Sequence, residues 1–409
     1  MRIRFVVLAS TLALLVVSAE AAGLIARGEG FGGAYSALAS GAEGMWWNPA
    51  VLGSQLVFSA NAGAGLEGGN NALSIMDVAR LAATPSSAKT DVVKKIPAAG
   101  WDADIRGAGG AAVALSLPVL GTFGLGVFEH QIVTAEKISK DAVDFALNYS
   151  PGNPNASYPP SGKSYTANQT YDFTGTFVSA SVAEIGLGYS KDVPEPVPGL
   201  GLSAGASVKY LHGLAYNDAS LDQHVTFNST APVTGAGVTY RESSKGSGIG
   251  VDIGAHAKLF GVAKAAIVLK NIGAKMTWKT NAYAGSLNVN TMGFTATKAA
   301  ENRTLTLPLD LRVSLAGSIP LVGTSLGVEY DGDLTSKRNR VRVGAEQSIF
   351  GLLTARAGYV TAAGPLDSQV TVGVGVGAIV AGVDLAVGFP LGGGDAKGGS
   401  AALSAYLSF

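Results

Sequence analysis

Apolar and polar residues alternate in short segments along most of this chain, and that alternation constrains its fold more than any other feature. Hydrophobic residues make up 47% of the sequence. Beyond the first 21 residues, however, no run of 18 apolar residues could form a membrane-spanning helix. Fourteen segments alternate apolar and polar residues with a period of two, and each is bounded by turn residues. An even number lets both ends of a closed barrel face the same side of a membrane. We therefore predict an all-β fold, a fourteen-stranded antiparallel transmembrane β-barrel. The predicted strands are 54–63, 105–117, 121–134, 175–191, 199–215, 246–259, 262–275, 305–318, 322–332, 338–348, 352–361, 367–378, 381–389 and 400–409.

The connections between these segments support a membrane barrel. Long connections, at 64–104, 135–174, 216–245 and 276–304, alternate with tight turns. Outer-membrane barrels show this asymmetry, with short periplasmic turns and longer outer loops. The alternative, a secreted soluble β-protein, gives no reason for so regular an alternation.

The last predicted strand ends on an aromatic residue. In an extended chain, one face of 400–409 is apolar, which is typical of the strand that closes an outer-membrane barrel. That face carries Ala401, Leu403, Ala405, Leu407 and Phe409.

The N-terminus has the features of a secretory signal peptide. Arg2 and Arg4 precede an apolar core from 5 to 17, and Ala19-Glu20-Ala21 offers a cleavage site. We predict three parts: a signal peptide at 1–21, an N-terminal hatch at 22–53 and the barrel at 54–409. The chain has no cysteine, which excludes a lipoprotein anchor and disulfides.

The predicted hatch is too apolar and too regularly patterned to be a linker. Four glycines between 28 and 33 allow close backbone approach, and Asn48 before Pro49 can cap a helix. Trp46 and Trp47 need an apolar environment with a polar partner nearby. We interpret 28–53 as a compact plug in the barrel mouth; the alternative is an extension packed beneath the barrel. Its G-x-G-x-x-G is not a dinucleotide site, since no strand precedes it.

The first long connection contains two predicted short helices, at 77–83 and 86–96. Pro85 suits a helix start, and Pro97 ends the second helix.

The stretch from 28 to 52 resembles the N-terminal hatch of the FadL-like outer-membrane transporters of long-chain fatty acids and other hydrophobic compounds. Segments 246–255, 269–278, 307–313, 341–346 and 354–359 resemble the spirochaete and PorV-like branch of that superfamily. The likeness covers nearly the whole mature chain and implies a fourteen-stranded barrel with an N-terminal hatch. Two features of the sequence differ from the family pattern, and both bear on the identity of the ligand. The acidic residue expected near 40–41 stands at Glu43, and the helical insert at 77–97 is unlike a plain outer loop. The hatch match rests on Gly30, Gly32, Gly33, Ala34, Ala37, Ala39, Asn48, Pro49, Ala50 and Leu52.

No constellation for catalysis or metal binding emerges. The four histidines form no pair at metal-ligand spacing, and no G-x-S-x-G motif lies in a strand-to-helix context. A hydrolase remains an alternative because triads are recognised by geometry. The net charge of zero gives no reason to expect a nucleic-acid partner. We expect neither an enzyme nor a cofactor.

Charged residues within the predicted strands should face the lumen, because charge on the lipid face is costly. We favour a structural ion-pair network for them. Arg342 and Arg356 are the alternative candidates for binding a ligand carboxylate. The hatch residues predicted to matter are Gly30, Gly32, Gly33, Ala34, Trp46, Trp47, Asn48 and Pro49.

The resemblance implies a monomeric, plugged outer-membrane barrel that transports hydrophobic small molecules, with long-chain fatty acids as the expected ligand and membrane lipid as its surroundings. PorV-like relatives suggest an alternative, a scaffold or shuttle that binds a secreted protein. A general diffusion porin is a third hypothesis, against which the predicted hatch argues.

Overall fold

The computed structural model describes residues 25–54, 57–74, 77, 86–148, 170–195, 197–226, 237–288, 293–319, 321–335, 339–363, 367–378, 380–391 and 397–409. The predicted signal peptide, 1–21, lies outside these residues. So does the first predicted helix, 77–83, apart from Asp77.

The chain forms one closed antiparallel β-barrel. The described residues form sixteen strand segments, which occupy fourteen positions because two positions are each shared by two segments. β6 and β7 both lie between β5 and β8. β9 and β10 both pair with β8. β1 pairs with β16 and closes the wall, so the prediction of a fourteen-stranded barrel is confirmed. The segments are β1 Phe58–Asn70, β2 Trp101–Leu117, β3 Gly121–Ile138, β4 Thr170–Val193, β5 Leu200–Thr226, β6 Val238–Ser243, β7 Gly246–Leu259, β8 Ala263–Asn288, β9 Gly293–Thr306, β10 Asp310–Ile319, β11 Thr324–Asp333, β12 Asn339–Ile349, β13 Leu353–Val360, β14 Gln369–Gly377, β15 Ala381–Pro390 and β16 Gly398–Ser408.

One side of the wall is taller than the sequence predicts. β4, β5 and β8 contain 24, 27 and 26 residues, and β6 and β9 extend the same side. These extensions are rich in Ser, Thr, Asn and Asp, and apolar residues such as Phe173, Phe177 and Leu221 pack in a cluster beneath the loop helices instead of facing lipid. The alternation of apolar and polar residues is therefore weaker in the extensions than within the membrane band.

The outward face of the strands is apolar and the inward face is polar or small. On β16, Leu403 and Leu407 are exposed, whereas Ser404 is buried toward the lumen. The same pattern recurs along β10 to β15. Exposed apolar side chains around a closed strand ladder require a lipid environment. The barrel therefore spans a membrane, and its location is the outer membrane, as predicted.

Within the described residues, three α-helices lie outside the strands: α1 Ala26–Gly30, α2 Ser86–Lys95 and α3 Lys140–Asn148. α2 confirms the helical insert predicted in the first long loop, whereas α3 was not predicted. None of the helices in the described part of the chain combines the length and the apolar character needed to cross a bilayer.

The two loop helices cover an apolar cluster on the side of the wall that faces away from the lumen. Val92 and Val93 of α2 and Val143 of α3 pack there with Ala135 of β3. Ala135 and the lumen-facing Phe128 are seven positions apart in a regular part of β3, so they point to opposite faces. α2 and α3 therefore lie outside the barrel.

Residues 25–54, hereafter the inner segment, lie within the barrel. The segment contains α1 and two 3-10 helices, Gly41–Met45 and Pro49–Ser54. Most of its residues are buried. Its apolar core includes Phe31, Tyr35, Trp47 and Leu52, and this core packs against small alanines of β2.

Candidate functional site

The inner segment is bound to the wall on several sides of the lumen. The Ala26 amide donates to Ser404 Oγ of β16 at 3.0 Å. The Ser36 amide donates to Glu329 Oε2 of β11 at 2.8 Å, and the Gly53 amide donates to Ser190 Oγ of β4 at 3.1 Å. Because these strands lie around the circumference, the segment spans the cross-section of the barrel.

Glycines allow the segment and the wall to approach backbone to backbone. A Cβ on Gly358 of β13 would lie 2.2 Å from the Gly32 nitrogen, and one on Gly30 would lie 2.9 Å from Gly373 Cα. Gly32 and Gly33 have φ of 69° and 74°, which disfavours other residues. The predicted glycines thus lie where the segment touches the wall. Ala34 is fully buried and follows them in the same contact.

The Asn-Pro pair forms a cap, as its sequence suggests. Asn48 Oδ1 accepts a hydrogen bond from the Ala50 amide at 3.0 Å, at the start of the second 3-10 helix. Its Nδ2 donates to the Ser36 and Ala255 carbonyl oxygens at 3.4 and 3.5 Å. Asn48 therefore joins the helix, the rest of the segment and β7, and Pro49 begins the helix beside Gly205.

Each of the two tryptophans has a cation over its ring. Lys270 Nζ of β8 lies 4.7 Å from the centroid of Trp46 and donates to the Trp46 carbonyl at 2.7 Å. The Arg312 guanidinium of β10 lies 5.3 Å from the centroid of Trp47. Trp46 also stacks on His130 at 5.3 Å. Trp46 is partly exposed and Trp47 is buried, so Trp46 presents the accessible aromatic surface.

Charged side chains line the lumen beside the tryptophans. Lys209 lies 2.9 Å from Asp252, His130 lies 3.2 Å from Glu184, and Arg340 lies 2.5 Å from Glu67. Cross-strand pairing places Arg312 opposite Asp331 and Asp331 opposite Arg340. We call this set the charged layer. Its members are Glu67, His130, Glu184, Lys209, Asp252, Lys270, Arg312, Asp331, Arg340 and Arg342.

Lys270 and Arg312 are the cations of this layer with no carboxylate closer than 3.8 Å among the described residues. Arg340 also has one nitrogen without an acceptor there, but it bonds to Glu67. Among the described residues, no carboxylate lies within 4.0 Å of Lys270 Nζ, which bonds only to the Trp46 carbonyl. Arg312 has one carboxylate partner, Asp331 at 3.8 Å, and its Nε and Nη1 have no acceptor among the described residues. Lys270 lies two residues beyond Val268, which pairs with Arg312. Lys270 and Arg312 are therefore diagonal neighbours whose Cα atoms lie about 7–8 Å apart.

An apolar cluster lies further along the same face of β8. Met276 and Trp278 are six and eight positions beyond Lys270, and both are fully buried. Trp278 stacks on Tyr216 with 5.1 Å between ring centroids, and its indole nitrogen has no acceptor among the described residues. The lumen therefore carries cations at the inner segment and apolar side chains beyond them. The cluster comprises Ala180, Val182, Leu211, Tyr216, Met276 and Trp278.

The two arginines predicted as carboxylate-binding candidates already have carboxylate partners. Arg356 bonds to Glu346 at 2.7 Å and to Asp384 at 2.6 Å. Arg342 bonds to Asp331 at 3.0 Å and to the Gly32 carbonyl at 3.4 Å. Their contacts favour the ion-pair network expected from the sequence. Neither Lys270 nor Arg312 stood out in the sequence, although both lie in segments that carried the family resemblance.

A polar cavity of about 350 Å³ lies on the opposite side of the inner segment, near the short turns. Arg27 of α1 reaches across it to Glu346 at 3.2 Å. Glu43 also lines it, accepting hydrogen bonds from the Tyr35 hydroxyl and the Ser40 amide, both at 3.1 Å. Burial raises the pKa of Glu43 above its ordinary value of 4.5. The inner segment thus separates a polar vestibule from the lumen.

The described residues contain no cluster of three or more histidine, aspartate or glutamate side chains arranged to hold a metal ion.

Solved structures share this architecture at low sequence identity. The toluene transporter TbuX of Ralstonia pickettii is 14% identical, with 96% of this chain and 100% of that chain covered and a TM-score of 0.54. A deltaS2S3 mutant of TodX, a monoaromatic hydrocarbon channel, is 15% identical, with 95% and 99% covered and a TM-score of 0.59. A FadL homologue of Pseudomonas aeruginosa is 12% identical, with 96% and 100% covered and a TM-score of 0.52.

These similarities establish the fold, and the proteins they identify are transporters and channels rather than enzymes. No family model matches the sequence, and no curated protein matches it.

Proposed function

We propose that this barrel carries hydrophobic molecules across the outer membrane, and that its preferred cargo is an anionic amphiphile such as a long-chain fatty acid. One observation carries the choice of cargo. Lys270 and Arg312 lie beside the tryptophans of the inner segment without a full set of carboxylate partners. A buried cation is stabilised by an opposite charge, and a ligand carboxylate would provide one.

The cargo's two ends correspond to two parts of the lumen. The carboxylate would lie at Lys270 and Arg312 beside the ring of Trp46. The hydrocarbon chain would lie against the cluster around Met276 and Trp278, where contact with apolar side chains replaces contact with water. A neutral aromatic hydrocarbon would use only the second part.

The inner segment would act as the hatch of this path. It lies between the charged layer and the polar vestibule, and Arg27 and Ser36 fix it to β12 and β11. Passage requires this segment to shift, because glycine contacts close the space between it and the wall. The chain's described elements supply no energy source, so net flux would follow the concentration gradient of the cargo.

Uptake by cells that lack the protein tests the proposal. They are complemented with the wild type, with a Lys270→Ala/Arg312→Gln double variant, and with Lys275→Ala, which removes an exposed lysine from the same strand. Labelled palmitate and toluene are measured in parallel. We expect the double variant to lose about 10-fold or more of palmitate uptake at low concentration, since charge-assisted hydrogen bonds contribute about 1.5–3 kcal/mol. Toluene uptake and the Lys275→Ala variant should be unchanged.

Equal palmitate uptake by the wild type and the double variant, with both in the outer membrane, would contradict the anionic cargo. No difference between complemented and uncomplemented cells for either solute would contradict transport itself. The scaffold hypothesis would then be tested by isolating secreted proteins that co-purify with the barrel.

A further inference from the structure

The short turns at one end of the barrel carry large apolar residues at their tips. Leu321 is 98% exposed, Phe350 96%, Val119 91% and Phe260 72%. Val380 in the next turn is also exposed. We call these five residues the turn ring. Turns that project into water are normally polar, so we expect the turn ring to lie in an apolar environment rather than in water.

Three of these residues occupy an unfavourable backbone conformation. Val119 has φ of 69°, Phe260 has φ of 48° and Phe350 has φ of 53°. Positive φ suits Gly, Asn or Asp, and it is uncommon for β-branched or bulky residues. The side chains of Val119 and Phe350 make little contact with the rest of the protein because they are almost fully exposed. An apolar contact outside the chain would compensate for this conformation.

The height of the apolar band indicates what that surrounding is. Leu321 and Tyr330, Phe350 and Tyr359, and Val380 and Phe389 are each nine positions apart. At about 3.3 Å per residue and a tilt near 40°, nine residues rise about 23 Å. The apolar band of an outer-membrane barrel is about 25 Å tall and is bounded by aromatic residues. The band therefore extends from the upper aromatic residues down to the turns.

The outer surface between the turns and the upper aromatic residues carries no charge in these three hairpins. Each segment contains a single charged residue, and each of those is buried toward the lumen: Glu329, Arg356 and Asp384. No charged collar separates the band from the turn ring, and the polar side chains of Thr324 and Gln347 are hydrogen-bonded to each other. The turn between β4 and β5 differs, because Lys191, Asp192 and Glu195 are charged and exposed there.

We propose that the turn ring is embedded in the inner leaflet of the membrane and that its contact is with lipid. The barrel then ends at the leaflet surface on that side, and the charged β4–β5 turn projects into the aqueous compartment. The ring is continuous with the apolar band, which is why lipid fits it better than a protein partner.

Single nitroxide labels test this depth, and the absence of native cysteine makes each label unique. Leu321→Cys and Phe350→Cys report on the ring. Leu326→Cys reports the middle of the band, Glu195→Cys the charged turn, and Ala299→Cys the outer part of the wall. In proteoliposomes of phosphatidylethanolamine and phosphatidylglycerol, collision rates are measured with oxygen, which partitions into lipid, and with a water-soluble nickel chelate.

We expect labels at 321 and 350 to collide with the chelate several-fold less often than the label at 195, and to approach the label at 326 in their oxygen access. Chelate access at 321 and 350 equal to that at 195 or 299 would overturn the proposal and indicate a ring open to an aqueous partner. Heat-dependent electrophoretic mobility confirms that each labelled barrel is folded. A variant that fails to fold is replaced by Leu352→Cys in the same turn as Phe350, with the same two outcomes.

Discussion

Individual charged residues in this lumen take roles that follow from their neighbours rather than from their type. Arg356 has two carboxylate partners and belongs to the structure. Arg312 also lies on the lumen face, but two of its nitrogen atoms lack acceptors among the described residues. The guanidinium of Arg356 therefore has its partners within the protein, whereas Arg312 has N–H donors left to bind a ligand. Breaking a buried pair is more damaging than removing an unpaired cation.

Glu43 of the inner segment should make stability depend on pH. Burial raises its pKa above 4.5, so its contribution to stability is fully present below the unfolded pKa and is lost as pH rises through the folded one. We expect the thermal midpoint of the wild type, measured in detergent, to fall relative to that of Glu43→Gln as pH rises from about 4 to about 8. A tenfold difference in proton affinity between the folded and unfolded states corresponds to about 1.4 kcal/mol. Parallel pH profiles for the two proteins would contradict the assignment.

At the scale of elements, the inner segment and the wall fit because both carry glycine at their closest contacts. Gly32 meets Gly358 of β13, and Gly30 meets Gly373 of β14. Hydrogen bonds to Ser404 and Glu329 then fix the segment without long side chains. This arrangement keeps the segment close to the wall while leaving the strand ladder independent of it.

A methyl group at such a contact should displace the segment without unfolding the barrel. Alanine at Gly358 would place its Cβ 2.2 Å from the Gly32 nitrogen, so we expect Gly358→Ala to raise single-channel conductance in planar bilayers. Gly317→Ala is the matched control, because its Cβ would face lipid with its nearest neighbour, the Val262 carbonyl oxygen, at 3.9 Å. Equal conductance in the two variants would show that this contact does not close the barrel.

For the whole molecule, the fourteen-position ladder closes without any strand from the inner segment. The segment is nevertheless buried and divides the lumen from the polar vestibule. Barrel formation and closure of the path are therefore carried by different parts of the chain. The apolar outer surface fixes the membrane position, and control of passage is the role that we propose for the inner segment.

Deletion of residues 28–53 should leave a folded but open barrel. The polar inner wall would then fill with water, so we expect a stable conductance well above that of the wild type, while heat-dependent electrophoretic mobility is retained. A deletion variant that folds and conducts no more than the wild type would mean that another part of the chain closes the lumen.

The sequence by itself determined the barrel, its fourteen positions and the lipid-facing side of β16, because period-2 alternation is a local property of a strand with one face in lipid. It also identified 28–53 as a structured segment, because its glycines permit close contacts and its Asn-Pro pair caps a helix, and both are local backbone properties. It did not determine the tall side of the wall or α3, since the strand extensions there are rich in polar residues and part of their outer face is covered by the loop helices rather than by lipid.

Only the tertiary structure decided which cations remain without full partners. Arg340 meets Glu67 across 273 positions of sequence, and Arg27 meets Glu346 across 319. Such pairs depend on strand register and on barrel closure, which no short sequence pattern encodes. The same dependence explains why Lys270 and Arg312 became visible as a candidate site only when the folded lumen showed what surrounds them.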